Sequence, residues 1–298
     1  LKISLIIPAY QRPTSLQRVI LAIQKQIRQP DEFIVVVRDS DSPNHDVLQE
    51  HPTIQKVVVC KPRLTPALNA GLRAATGEIV IFTDDDTEPL PDWIEIIEQT
   101  YIKNPNLGGL GGRDIIVNTT PSSGPIGRIN FWGKPYGLHH LGMGKPQMVQ
   151  TLKGANMSYR RNLISGFLEN LKGDQAFNEM YLAHQVLKQK QTILYDPEIQ
   201  VLHHVALRSE HDRAQLQNMP NMAFNIAYTY GLTRSPAFMI KFLFFCMVIG
   251  FSQVPGLIKA TQLILKGQWS MYYWMLRCWG ALISGTCQAI LKHQNHEK

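Results

Sequence analysis

Four short β-branched runs alternate with amphipathic stretches over the first hundred residues, and few folds accommodate that order. KISLIIPAY (2–10), EFIVVVRDS (32–40), IQKVVVC (54–60) and GEIVIFT (77–83) read as strands. Between the first two, TSLQRVILAIQKQ places Leu16, Val19, Ile20 and Ile23 at helical spacing, with Thr14 or Ser15 as the expected N-cap. LTPALNAGLRAAT and PDWIEIIEQTYIKN read as two further helices, the second bounded by Pro91 and by Asn104 and Pro105. A strand joined to the next through a helix pairs with it in parallel. The expectation is an α/β fold with an open sheet, whose ligands bind at the carboxyl ends of the strands.

The fourth strand runs straight into Asp84, Asp85 and Asp86. Crowded carboxylates repel one another unless a positive charge sits among them. Residues two apart in an extended segment point the same way, so Asp84 and Asp86 can present both carboxylates to one ligand while Asp85 faces elsewhere. Hard oxygen donors suit Mg²⁺ or Mn²⁺, and two carboxylates with substrate phosphates are a usual way of holding such an ion. The structural alternative is an acidic start for the helix near Pro91, five residues away, which is too far for most of the dipole effect.

Lys and Arg outnumber Asp and Glu by 30 to 23, a net charge of +7. That surplus favours anionic partners such as a nucleotide diphosphate or a lipid surface, or serves solubility alone. Nucleic acid is not expected, because no helix-turn-helix pattern, RNP-like aromatic pair or long basic run occurs. The 44% hydrophobic and 18% charged fractions are globular values. Cys60, Cys246, Cys278 and Cys287 lack CxxC or zinc spacing and read as free thiols in a reducing compartment. LKISLIIPAY is too short and too lightly charged for a signal peptide, so the catalytic part is expected in the cytoplasm.

Beyond the first hundred residues the text changes. Residues 108–153 are rich in Gly, Pro, aromatics and His and read as a long irregular functional segment. NEMYLAHQVLKQK then reads as a helix with Met180, Ala183 and Leu187 on one face, and TILYDPEIQVLHH as a strand pair or a strand and turn. Residues 242–258 carry no charge, but a helix of that length falls short of a ~30 Å hydrocarbon core, and Pro255-Gly256 breaks it. WSMYYWMLRCWGALISGTCQAIL is interrupted by Arg277 and rich in Trp and Tyr. Interfacial or re-entrant helices fit these stretches better than clean spans; a soluble helical appendage is the alternative.

Six segments, SLIIPAYQRP, EFIVVVRDSDS, LTPALNAGLRAATGEIVIFTDDDTEPLPDWIEII, LKGANMSYRR, NEMYLAHQVLKQKQTILYDP and VLHH, occur in that order. Together they resemble the family 2 glycosyltransferases of GT-A fold, over residues 2–204 or about two thirds of the chain. The resemblance implies a Rossmann-like, mostly parallel open sheet flanked by helices, here followed by an apolar helical C-terminal extension. It implies inverting transfer of a sugar from a nucleotide-diphosphate sugar, with Mn²⁺ or Mg²⁺ as cofactor. By position, Pro8, Ala9 and Tyr10 would lie at the base and ribose end of the nucleotide site, Asp39 on the nucleobase edge, and Asn69 and Gly71 in the loop near the nucleotide. Asp84, Asp85 and Asp86 match the acidic DXD motif in the nucleotide-sugar pocket. There Asp86 would be the direct metal ligand and Asp84 would contact ribose or metal water. His203 matches a histidine near metal and diphosphate, with His204 as its alternative.

Two departures stand out. The second-strand motif of many relatives, Asp-Asp-Gly-Ser, is here Arg38-Asp39-Ser40-Asp41, and the family's Glu-Asp pair falls on Asn178-Glu179. Glu179 is then the candidate base, with Asp174 in reserve. Asn178 as N-cap would put Glu179 in a first helical turn, where the helix dipole helps keep it ionised. Arg160 and Arg161 could face the diphosphate or lie paired on the surface. Trp132, Tyr136, His139 and His140 could stack on an acceptor or merely pack a loop.

The expected organisation is a transferase domain over residues 1–230, divided into a nucleotide-binding half (1–104) and an acceptor half (105–230), followed by a membrane-associated extension over 231–298. The expected partners are a nucleotide-diphosphate sugar donor, a saccharide or lipid-linked acceptor of cell-surface polysaccharide or glycolipid synthesis, and the cytoplasmic surface of a membrane, bound peripherally or re-entrantly. Two rivals are a sugar nucleotidyltransferase, for which PAYQRPTS lacks the glycines, and a membrane-assembly scaffold that has lost transfer.

Overall fold

The computed structural model describes residues 1–61, 63–116, 119–122, 124–204 and 215–296. The chain divides into two compact units. The first comprises Leu1–Arg128, Tyr136–Phe167 and Leu182–Ala206, and the second Ile129–Pro135, Leu168–Tyr181 and Leu207–Lys298.

The first unit is built on the alternation read from the sequence: β1 (Ile3–Pro8), α1 (Pro13–Gln24), β2 (Glu32–Arg38), α2 (Ser42–Gln49), β3 (Gln55–Val59), α3 (Leu64–Ala74) and β4 (Ile79–Phe82). These four strands pair in parallel in the order β3-β2-β1-β4. After β5 (Thr87–Pro89) and α4 (Trp93–Lys103), the sheet continues with β6 (Leu107–Ile116), β7 (Gln147–Met148), β8 (Met157–Arg160) and β9 (Thr192–His203). The full order among the described residues is β3-β2-β1-β4-β8-β6-β9-β5, with β7 against β9. It is mostly parallel; β8 runs antiparallel to β4 and β6, and the edge strands β5 and β7 antiparallel to β9. The open, helix-flanked α/β sheet is therefore the observed fold.

Both faces of the sheet are covered, which is why its central strands read as continuous apolar runs. On one side Leu5, Ile7, Val35, Val37, Ile79 and Ile81 pack with Leu16, Val19, Ile20 and Ile23 of α1 and Trp93, Ile94 and Ile97 of α4. On the other, Ile6, Ile34, Val36, Val80 and Phe82 meet Leu68 and Leu72 of α3 and Leu182, Ala183 and Val186, which lie on α5 (Glu179–Lys188). Odd and even positions go to opposite faces, as the pleat requires.

Several local expectations are corrected. Helix α1 starts at Pro13, not at a Thr14 or Ser15 cap, because proline's fixed φ and missing N–H suit a first helical position. Helix α2 was not signalled: SPNHDVLQ has only Val47 and Leu48 as large apolar residues. The segment expected to be irregular from residue 108 opens with β6, a ten-residue strand ending at Ile116. The stretch expected as a strand pair or a strand and turn is one strand, β9, interrupted by a register shift between Asp196 and Gln200. Gly112 lies opposite that bulge, and a Cβ there would come within 1.8 Å of the Ile199 carbonyl oxygen. Asn156 ties the bulge down, donating to the carbonyls of Ile199 (2.9 Å) and Arg113 (3.2 Å).

The second unit is helical: α6 (Gln215–Thr233), α7 (Pro236–Val248), α8 (Leu257–Ile264) and α9 (Met271–His296). Ala223, Ile226 and Tyr230 of α6 form its core with Phe242 and Phe245 of α7 and Cys278 and Leu282 of α9. Ser235 Oγ caps α7 by accepting the Phe238 N–H. The uncharged run 242–258 is broken earlier than at Pro255-Gly256: α7 ends at Val248, a small antiparallel pair of residues 250–251 and 254–255 follows, and Gly256 stands at the N-cap of α8. Among the described residues no helix is long and apolar enough to cross a membrane. All four cysteines are unpaired.

Candidate active site

The candidate site forms where β4 ends. Thr83 leaves the strand with its hydroxyl 2.7 Å from the Ala155 carbonyl and 2.8 Å from the Thr87 hydroxyl. Thr87 Oγ1 also donates to the Asp84 carbonyl at 2.8 Å. This fixes the Asp84–Asp86 turn before the chain re-enters the sheet as β5. The register of β5 against β9 then pairs Thr87 with His203, and so delivers a histidine from over a hundred residues away to the acidic triplet. His204 N–H donates to the Asp86 carbonyl at 2.9 Å, locking that register.

Asp84, Asp86 and His203 offer ligand atoms that all lie within 4.8 Å of one another. His203 Nε2 is 3.4 Å from Asp86 Oδ1, and its Nδ1 is 3.3 Å from Asp114 Oδ2. His204 points elsewhere, its Nε2 2.9 Å from Glu88 Oε2, so of the two histidines His203 joins the cluster. Asp85 does face elsewhere: its Oδ2 accepts the Tyr10 N–H at 3.3 Å, and its Oδ1 is ion-paired with Arg12 at 2.7 Å. Arg12 also reaches Asp86 Oδ2 at 2.9 Å. The loop after β1 is thereby pinned to both acidic motifs, because the Gln11 N–H donates to buried Asp41 at 2.9 Å. Gln11 takes a left-handed φ of 51° to do so.

The electrostatics of the cluster follow from burial and from crowding of like charge. Burial, then the charge of Asp86, pushes Asp84 above the usual carboxylate range. Burial lifts Asp85 to about 7, against the pull of Arg12. Burial would lower His203, but its hydrogen bonds to Asp114 and Asp86 and the charges of Asp86 and Asp84 outweigh it and raise its pKa to about 9. Two carboxylates and an imidazole in one cluster match the donor chemistry of Mn²⁺ or Mg²⁺.

Of the other residues expected on the nucleotide side, Pro8, Ala9, Tyr10 and Asp39 lie at or just beyond strand ends, whereas Asn69 and Gly71, expected in a loop, lie within helix α3. Ala9 is buried, with its N–H on the Val36 carbonyl, and Pro8 ends β1. The exposed Tyr10 ring carries the Arg38 guanidinium 3.6 Å above its centre. Asp39 is exposed beyond β2 and accepts the Ser40 N–H. Asn69 is buried and clamps Phe167, donating to its carbonyl at 3.0 Å and accepting its N–H at 2.7 Å. Gly71 lies inside α3, where a Cβ would stand 2.4 Å from Ile6, so its smallness lets the helix approach the sheet.

Other expectations fall out differently. His139 is only 2% exposed and bonds the Thr151 carbonyl at 3.0 Å, with burial lowering its pKa to about 4. It is a core residue and cannot reach an acceptor. His140 and Tyr136 are partly buried in the first unit. Arg160 is used structurally, donating to the carbonyls of Leu107 and Tyr101. Trp132, in the second unit, stacks on Phe245.

Glu179 and Asp174 also belong to the second unit, both partly buried. Glu179 opens α5, as anticipated, but Asn178 does not cap the helix: its amide donates to the Gln175 carbonyl and its Oδ1 accepts no hydrogen bond. The preceding loop explains this. Gly173, Gln175 and Phe177 all have left-handed φ, and the turn at Phe177 directs the Asn178 side chain back into the loop. Buried Asn225 holds the loop in that strained form by accepting the Lys172 N–H and donating to the carbonyls of Lys172 and Ala176.

Arg12, Asp41, Asp114 and Lys153 were missed from sequence. Asp114 had left one signal, as the sole acid over residues 105–168.

The first unit is thus a helix-flanked α/β sheet with an acid-and-histidine cluster at the carboxyl end of a central strand. Residues 4–165 match Glycosyl transferase family 2, more than half the chain, and the chain belongs to that family. Among curated relatives it is similar to the glucosyl-dolichyl phosphate glucuronosyltransferase of Haloferax volcanii, 26% identical over 189 residues covering 59% of each chain. It is also similar to the O-antigen biosynthesis protein RfbC of Myxococcus xanthus, 28% identical over 144 residues, 45% of this chain and 11% of that protein. The aligned part thus spans less than two thirds of either relative. Two solved structures share the fold. One is the mannosyltransferase PcManGT from Pyrobaculum calidifontis in complex with GDP-Man and Mn²⁺, at TM-score 0.54 and 16% identity over 97% of this chain and 87% of that one. The other is S. aureus TarS, at TM-score 0.59 and 17% identity over 96% and 49%.

Proposed function

We propose that the chain transfers a sugar from a nucleotide-diphosphate donor to a hydroxyl acceptor by a single inverting displacement that depends on Mn²⁺ or Mg²⁺. The observation carrying this reading is the convergence of Asp84, Asp86 and His203 at the carboxyl end of β4. Those three residues would hold the ion. When bound, it neutralises charge on the departing diphosphate.

The chain's own groups do the rest. Tyr10 and Asp39 stand at the strand ends where a nucleobase and ribose would lie, with Arg38 stacked on Tyr10. Arg12 balances Asp85 and Asp86, which keeps the acidic turn in place before donor arrives. Glu179, or Asp174 in its stead, takes the proton from the acceptor hydroxyl as it attacks the anomeric carbon from the face opposite the diphosphate. Binding the donor across the pocket contributes a large share of the barrier reduction by orientation alone.

The acceptor we infer is lipid-linked or a growing cell-surface saccharide, met at a membrane surface. The names of the Haloferax and Myxococcus relatives support this, as does the apolar display of the second unit. There Leu265 and Trp269 are 82% and 78% exposed, beside exposed Tyr272, Tyr273 and Leu276.

The test is release of nucleoside diphosphate from a panel of nucleotide sugars, with and without Mn²⁺, by the wild-type chain and Asp86→Ala. Metal-stimulated release is expected from the first and is lost in the second. Full metal-stimulated release by Asp86→Ala would remove that residue from the mechanism. A folded wild type that releases nothing from any donor would favour the scaffold. Co-sedimentation with anionic vesicles tests the membrane part, and recovery of all the protein in the supernatant would refute it.

A further inference from the structure

Asp114 and Lys153 have no part in the reading above, yet they complete the only histidine of the cation cluster. Asp114 is fully buried on β6, a position where a carboxylate is expensive unless it is paired. Two cationic or hydrogen-bonding groups hold its Oδ2: Lys153 Nζ in an ion pair, and His203 Nδ1 at 3.3 Å. Together they outweigh burial and keep the carboxyl below its usual range.

The sheet register dictates this meeting. In the parallel pair β6 and β9, Asp114 lies opposite Val201 and Ile116 opposite His203. Asp114 and His203 are therefore diagonal neighbours on one face of the pair. The imidazole is held at Nδ1 and turns Nε2 to within 3.4 Å of Asp86. An Nδ1–H given to a carboxylate leaves the lone pair of a neutral ring on Nε2, aimed into the acids. Simple neutralisation of Lys153 does not require this geometry, since Lys153 is 33% exposed and reaches water.

We propose that Asp114, backed by Lys153, is a positioning residue for the divalent cation: it grips His203 by Nδ1 so that Nε2 faces Asp84 and Asp86. The proposal rests on the metal reading of the site.

Titration of the full chain with Mn²⁺, followed by the EPR signal of the free ion, tests it. Circular dichroism checks the fold of each variant. At pH ~9.5, where the His203 ring is neutral with or without the Asp114 charge, Asp114→Asn is expected to weaken Mn²⁺ binding about 10–100-fold. His203→Gln should weaken it comparably, and adding Asp114→Asn to His203→Gln should cost nothing more, because Asp114 acts through the ring. Unchanged affinity in folded Asp114→Asn, or fully additive losses in the double variant, overturns the proposal. Should Asp114→Asn fail to fold, the wild type still decides: electron-spin-echo nitrogen modulation from one imidazole on bound Mn²⁺ is expected, and its absence overturns the proposal. A wild type that binds no Mn²⁺ with or without nucleoside diphosphate is a distinct result, which sinks the metal reading itself.

Discussion

Mn²⁺ affinity should climb steeply between pH ~7 and ~8.5, and His203 should be the cause. The histidine can give Nε2 to a cation only when the ring is neutral, and in the free chain its pKa is raised to about 9. At pH ~7 about one ring in a hundred is neutral, so apparent affinity is reduced on the order of 100-fold, roughly 3 kcal/mol. By pH ~8.5 the penalty shrinks to about fourfold, a gain of roughly 25-fold. The side chain is only 12% exposed, so solvent screens this little. The linkage has a second consequence. A raised histidine pKa stabilises the free fold in full below the unfolded value of 6.5, and that contribution is lost as pH rises through about 9. Thermal stabilisation by saturating Mn²⁺ should therefore grow over the same window in which the free chain weakens. Anaerobic EPR titration at three pH values measures the first effect and thermal unfolding the second. His203→Gln should flatten the affinity slope. A slope near zero in the wild type, or an equal slope in wild type and His203→Gln, would refute the reasoning.

Glu179→Gln should bind donor as wild type does but lose at least about 100-fold in sugar transfer, as expected for a missing general base; unchanged turnover would shift the assignment to Asp174. Gly112→Ala should cost about 3 kcal/mol or more in denaturant unfolding, because its methyl would meet the Ile199 carbonyl and no rotamer can relieve contact with backbone; wild-type stability would show that the bulge is not needed. Arg12→Ala should lose more stability at pH ~8 than at pH ~5.5. Asp85 already titrates at about 7, and without its guanidinium partner its pKa rises further, so a charge that costs nothing while protonated becomes harder to carry as pH increases. A deficit that stays constant across that range would mean that Arg12 does not act through Asp85.

The half of the sheet that is local in sequence was readable because both periodicities were clean. Strands β1, β2 and β4 are buried on both faces and spell it in β-branched residues. Strand β6 was not readable for an equally physical reason. LGGLGGRDII carries four glycines, which lower β propensity, yet at Gly112 the missing side chain is what the neighbouring strand requires. Propensity counts only the residue; packing counts what comes within reach of it.

The same distinction runs through the site. Asp84, Asp85 and Asp86 declare themselves by adjacency, although what brings Asp84 and Asp86 together is a turn beyond the strand, closed by Thr87 on the Asp84 carbonyl, and not the alternation of an extended strand end. Asp114, Lys153 and His203 meet only because β6 and β9 run in one register, and that register is set by the extra residues of the bulge between Asp196 and Gln200. A glycine at 112 admits the bulge, Asn156 fastens it, and beyond the bulge the Asp114 carboxylate and the His203 imidazole come together on one face. Moving that register by one residue would turn His203 to the opposite face of the sheet and take it from the acids. The chemistry of the cluster therefore depends on residues that carry no chemistry themselves, and in sequence these leave only a glycine pair and one acid in an apolar strand.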